Sequence, residues 1–160
     1  CLNESALISS DWLIFDAFSI CTPGGFATTK KALDLANKNN LKVCFGLADI
    51  NLIKPYLVRI QWILNHNITY LVGNKREVEL LNSYIKFPKN KTLCTQGSNG
   101  AKLGLIEVSA KPVKIKNSNG AGDALLGIFL SLLQEKGLQK SLEEAVKYAS
   151  LVCEVDGPRL

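Results

Sequence analysis

The 160-residue sequence has no methionine, one histidine (His66) and no Cys-x-x-C among its five cysteines. With so little histidine and with Cys1, Cys21, Cys44, Cys94 and Cys153 so far apart, no zinc set can be composed. An odd, scattered number of cysteines supports no disulfide framework either, so buried reduced thiols are expected. No apolar run approaches the roughly 18 residues that span a bilayer. No basic stretch followed by an apolar one stands near the N-terminus, so no secretory signal is read and a cytoplasmic location is expected. Because it starts with Cys1 and lacks methionine, the chain is expected to be a fragment, a processed product, or one from which methionines have dropped out. The net charge of +5 comes from dispersed lysines. Their densest group, KPVKIK at 111–116, has no interleaved aromatics, which fits a solvated face better than a nucleic-acid surface.

What is present is a globular composition, 47% hydrophobic and 21% charged, in a length that suits one domain with a real core. Short β-branched or aromatic runs alternate with longer stretches of helical spacing, which predicts βαβ units around a parallel sheet and an α/β fold class. Strands are expected at 12–18, 42–47, 68–72 and 91–95. The spacing predicts helices over about 28–39, after a turn at CTPGGFATT, then around Pro55 to Leu64, and from Lys75 to Tyr84. KLGLIEV and KPVKIK read as the two strands of a small hairpin. A helix then runs from Gly120 to about Gln134, and a last one starts at SLEE, where Ser141 and Glu144 have capping-box spacing.

In parallel α/β sheets, ligands bind beyond the carboxyl ends of the strands, where loops enter helix N-termini. Three such ends carry small and polar residues: GNKRE at 73–77, TQGSNG at 95–100 and NSNGAGD at 117–123. In the last, Gly120, Ala121 and Gly122 leave amides bare at a helix start, a place that favours an anion. Asp123 has two roles open to it there. It can satisfy the amides as a cap, or it can act as a general base toward a hydroxyl that attacks a phosphorus atom held over them. A G-x-G-D alone is weak, since it arises by chance in roughly one chain in twenty-five of this length.

The segment NSNGAGDALLGIFL resembles the C-terminal signature of the PfkB, or ribokinase-like, carbohydrate and nucleoside kinases, which reads D-T-x-G-A-G-D-x-F before a small-residue helix. Asn74 and Glu77 have the N-x-x-E spacing of that family, TQGSNGAKL is similar to its T-x-G-x-x-G-A segment, and SLEEAVKYAS resembles the helix that follows. The resemblance covers nearly the whole chain but only the C-terminal half of such a kinase. It implies a three-layer α/β/α Rossmann-like core with a mostly parallel sheet and a small hairpin near the nucleotide site. Residues 1–160 would form a single ATP-binding domain, with the N-terminal substrate and lid half absent. It further implies ATP as phosphoryl donor, Mg2+, and a sugar or nucleoside as acceptor. Nucleic acid and membrane are not among the partners, and a homodimer is the assembly state allowed for. By position, Asp123 would be the catalytic base and Gly120, Ala121 and Gly122 the anion hole. Asn74 and Glu77 would organise metal and phosphates, Glu77 through water. Thr95, Gly97 and Gly100 would let the nucleotide approach the backbone, and Ser150 would lie near the adenine.

The sequence departs from that pattern at Asn117, where the family has Asp, at Asn119 in place of Thr or a small apolar residue, and at Leu125 in place of Phe. The loss of the acid at Asn117 puts a monovalent-cation site in doubt. LADIN at 47–51 stands where some adenosine-kinase-like members have L-S-D-P-F, which tilts the acceptor toward a nucleoside or modified sugar. PGG at 23–25 reads as a turn rather than as the Gly-Gly motif of the missing half. The rival reading is a non-catalytic nucleotide-binding relative or fragment. A dinucleotide oxidoreductase is disfavoured because no G-x-G-x-x-G follows the first strand.

Overall fold

The structure, a computed structural model, describes residues 2–155, so Cys1 and the closing residues 156–160 lie outside it. The chain divides into two compact units, the first ending at Cys94 and the second beginning at Thr95.

In the first unit, β1 (Trp12–Asp16), β2 (Lys42–Gly46) and β3 (Tyr70–Asn74) follow one another in sheet order, with β4 (Thr92–Thr95) next. The β1–β2 and β2–β3 pairings are parallel, with Phe15 opposite Phe45 and Phe45 opposite Leu71. Helix α1 (Glu4–Ile8) precedes β1, and α2 (Pro23–Lys38), α3 (Ile50–Ile53), α4 (Leu57–Leu64) and α5 (Lys75–Tyr84) connect the strands. One face of the sheet, through Val43, Phe45, Leu47 and Leu71, packs on Leu33, Ile53, Ile60, Ile63 and Leu81 of these helices. Each such fully buried side chain contributes roughly 1.5–3 kcal/mol, and this cluster holds the strand ends in place.

Two elements differ from expectation here. Pro23, Gly24 and Gly25 form the first turn of α2 and not a loop, because Thr22 caps the helix by accepting from the Gly25 N–H at 3.0 Å and Pro23 needs no acceptor at that position. The helix expected around Pro55 is two helices, α3 and α4, with Pro55 in the turn between them.

The second unit holds the antiparallel pair β5 (Ala101–Leu103) and β6 (Ile106–Val108), and α6 (Ala121–Val152). Both hairpin strands therefore lie inside AKLGLIEV, turning at Gly104 and Leu105, and KPVKIK is not a strand. Helix α6 is broken at Gly137, where φ is 71° and ψ is 174°. Residues after the break are already helical before Ser141, so Ser141 caps nothing; it is fully buried and its hydroxyl has no partner among the described residues. Leu125 and Phe129 before the break, and Leu142, Ala145 and Val146 after it, are buried as the apolar spacing predicts. Cys21, Cys44 and Cys153 are free thiols, and burial pushes the Cys44 thiol up to about 12.

Candidate functional site

The β3 end delivers the chain straight into α5. Asn74, in an extended conformation, is the N-cap, and Glu77 is the third residue of the helix. The Glu77 N–H donates to Asn74 Oδ1 at 3.0 Å, the Asn74 N–H donates to Glu77 Oε2 at 2.8 Å, and Asn74 Nδ2 donates to Glu77 Oε1 at 2.6 Å. Turned over, the Asn74 amide would set its NH2 against the Glu77 N–H and its oxygen against the carboxylate, so its orientation is fixed from both sides. Glu77 is only 5% exposed. Burial raises its carboxyl above the ordinary value and the charge of Asp49 adds to this, while hydrogen bonds from Asn74 pull it the other way.

Asp49 was not among the residues singled out from the sequence. It follows β2 and caps α3, accepting from the Asn51 N–H at 2.7 Å. Its position one strand over from Glu77 depends on the register of β2 against β3, which the apolar pattern does not specify. The only hint in the sequence is an acid directly after an apolar strand.

In the second unit, Thr95 to Gly100 form a tight turn: the Gln96 N–H donates to Gly100 O at 2.8 Å and the Gly100 N–H donates to Gly97 O at 3.0 Å. The two glycines differ. Gly100 has φ 97°, and a Cβ on it would overlap Val108 O and stand 2.7 Å from Ala110 N, so the chain's own hairpin takes the space beside it. At Gly97 nothing lies within 4 Å of such an atom, and the backbone there is open.

The loop at 117–120 is tied down at its start, where the Lys116 and Asn117 N–H groups both donate to Cys153 O at 2.8 and 3.3 Å. Asn117 thus sits beside the end of α6, about one turn beyond Ser150, whose hydroxyl donates to Val146 O at 2.9 Å. Asn117 Oδ1 accepts from the Asn119 N–H at 2.8 Å, closing a small side-chain turn. Gly120 is the N-cap of α6 in the left-handed region, with φ 80°, and provides no side-chain cap. The Gly122 and Asp123 amides lie in the first turn, where a helix has no acceptor of its own for its N–H groups. Asp123 is the third residue of α6 and exposed, and among the described residues its carboxylate has no hydrogen bond or ion pair. The capping role open to it in the sequence is not the one it plays.

Thus Asn74 and Glu77 are joined in the first unit, and the 117–123 loop and Ser150 neighbour one another in the second. Among the described residues no group of three or more His, Cys, Asp or Glu side chains could hold a metal directly. Both Glu77 oxygens are engaged by Asn74, which suits a hydrated divalent cation bound through water and not a protein cage.

The chain matches the family described as pfkB family carbohydrate kinase over residues 4–160, and it belongs to that family. No match is found among curated proteins. Among solved structures it is similar to adenosine kinase from Sinorhizobium meliloti, at 16% identity and TM-score 0.88, covering 99% of this chain and 54% of that one. It is similar to a putative ribokinase II from E. coli in complex with ATP and Mg2+, at 18% identity and TM-score 0.86, covering 98% and 56%. It is also similar to fructokinase from Vibrio cholerae O395 in a form with fructose, ADP and calcium bound, at 20% identity and TM-score 0.75, covering 98% and 60%. These likenesses show the fold, an α/β ribokinase-like one with mostly parallel strands. The chain spans a little over half the length of these structures.

Proposed function

We propose that the chain is the nucleotide-binding part of an ATP-dependent kinase that transfers the γ-phosphoryl group to an alcohol hydroxyl of a sugar or nucleoside. The observation that carries this reading is the exposed Asp123 carboxylate, without a partner among the described residues, over the uncapped first turn of α6. A carboxylate left without a structural partner, beside amides without acceptors, is equipped to take a proton where negative charge gathers.

In this mechanism the acceptor hydroxyl gives its proton to Asp123 as its oxygen bonds to phosphorus, and the bond from phosphorus to the ADP oxygen breaks. The amides of Gly120 and Gly122 stabilise the charge on the transferring group, while the Ala121 N–H expected to join them already donates to Ser118 O at 3.3 Å. Asn74 and Glu77 would hold Mg2+ through water, and that ion when bound neutralises phosphate charge. The Gly97 backbone is the open part of the 95–100 turn and with Thr95 and Ser150 forms the proposed nucleotide contact set, whereas the space beside Gly100 is taken by the hairpin. The acceptor panel should begin with nucleosides. The LADIN stretch and the likeness to an adenosine kinase favour that order.

The test is ATP turnover by the full-length protein with a panel of nucleosides and sugars. Asp123→Asn is expected to lower kcat by about 10²- to 10⁴-fold, and activity surviving within a few-fold would remove Asp123 from the mechanism. The second reading is a nucleotide-binding relative or fragment without catalysis. It predicts ATP binding without turnover on any acceptor.

A further inference from the structure

Gly73 ends the buried part of β3, directly before Asn74. A Cβ on Gly73 would stand 2.9 Å from Leu47 Cδ1 and 3.1 Å from Glu77 Oε2, so two side chains already fill the place an alanine methyl would take. Neither can retreat into solvent, since Leu47 is 0% and Glu77 5% exposed. In a close-packed interior one added methyl must push something aside.

Leu47 is held from behind. Its N–H donates to Val72 O at 2.8 Å, and its own carbonyl accepts from the Asp49 N–H at 2.7 Å. The second bond joins residues two apart around Ala48, whose φ is 62°. It closes a γ-turn of the rare, strained hand, in a residue that is not glycine. The chain leaves β2 through this turn, and the Leu47 side chain stays on the Cα of Gly73. Glu77 reaches the same Cα from α5, with Oε2 held by the Asn74 N–H at 2.8 Å.

We infer that Leu47 and Gly73 form a steric seat that fixes the Glu77 carboxylate at the end of β3, which makes both of them positioning residues for the Asn74–Glu77 pair. The seat itself follows from packing, whereas its functional consequence rests on the role proposed above for that pair. A methyl at position 73 crowds both Leu47 Cδ1 and Oε2, and with Leu47 fully buried the displacement falls on Oε2. Shortening Leu47 by its Cδ atoms gives that volume back.

The experiment uses the full-length protein with Gly73→Ala, Leu47→Val and the double substitution. Two quantities are read: hydrogen exchange of the Asn74 amide by NMR, and the Mg2+ concentration at half-maximal ATP turnover. Gly73→Ala is expected to speed Asn74 exchange about tenfold or more, as for a lost hydrogen bond, and to raise the Mg2+ requirement while the acceptor KM stays unchanged. The double substitution is expected to bring both back to within about twofold of the wild type, the signature of two coupled neighbours. Wild-type exchange in Gly73→Ala, or a double variant no closer to wild type than Gly73→Ala, overturns the seat. If Gly73→Ala does not fold, the double variant decides: folded with a protected Asn74 amide it supports the seat, and otherwise it overturns it. Should the wild type turn over no ATP, the exchange measurement still judges the seat, and the loss falls on the proposed function alone.

Discussion

Asn74 and Glu77 clasp each other at the start of α5 through three hydrogen bonds of 2.6, 2.8 and 3.0 Å, with the Glu77 carboxylate buried between them. Asp123 occupies the same third helical position in α6 and is exposed. The difference lies at the cap. Asn74 brings a side chain that both receives and donates, whereas Gly120 brings none, so one acid is bound by its helix and the other has no partner among the described residues.

The raised pKa of Glu77 gives stability a definite pH dependence. Burial leads that shift, so the native state keeps the Glu77 proton to a higher pH than the unfolded chain does. Its contribution is therefore complete below the unfolded value, about 4.3 for Glu. It is lost as pH rises through the raised native value. Urea melts across this acid range should show wild-type stability falling relative to Glu77→Gln as pH rises. A difference that stays flat or grows in favour of the wild type contradicts the assignment.

Asp123→Asn is expected to separate activity from stability. With no hydrogen bond to lose among the described residues, an exposed carboxylate contributes little to folding, and the variant should match the wild type within about 0.5 kcal/mol in urea. A capping role would instead cost about 1 kcal/mol. Thermal and urea melts of the two proteins, run beside the turnover assay, distinguish these outcomes.

Alanine at the two glycines of the 95–100 turn should have unequal effects. At Gly97 the penalty is conformational, roughly 1–2 kcal/mol for a positive φ, because nothing crowds the added atom. At Gly100 the methyl meets the backbone of Val108 and Ala110 as well, so a larger loss is expected, with disturbed β6 amide signals. Equal stabilities for the two variants would show that the hairpin does not press on Gly100.

Ser141→Ala should stabilise the protein. The hydroxyl is fully buried without a partner, and removing such a group recovers a desolvation cost of about 1–3 kcal/mol. Alanine also favours the helix. A drop in the urea midpoint would mean that the hydroxyl is satisfied in solution, for instance by a buried water.

Much of this fold is written in local patterns. Lys75–Tyr84 is a helix as read, because Asn74 and Glu77 spell a capping box in four residues. Apolar runs locate β1 to β4 within a few residues. Errors arise where one local signal hides another. KLGLIEV looks continuous because Gly104 turns it without a polar flank, and PGG suggests a loop although Thr22 and Pro23 begin a helix. Ser141 and Glu144 have the right spacing, but Gly137 has already restarted the helix. In the site, residue types at the strand ends are legible, since phosphate chemistry calls for small residues and amides. Leu47 and Asp49 lie in LADIN and Gly73 in GNKRE, but their contacts are not legible, because these depend on the register of β2 against β3 and on the turn at Ala48. No single stretch of sequence encodes that relationship.

The outer strand β1 pairs with β2 on one side, and Ile14 in its middle is 53% exposed, with Phe18 just beyond at 58%. Among the described residues β1 is the edge of its sheet, and an apolar edge strand recruits whatever strand is nearest. In a solution of the 160-residue chain, the nearest strand is another copy. Its yield and shelf life will therefore depend on protein concentration, and Ile14→Lys is the simplest way to keep it in solution.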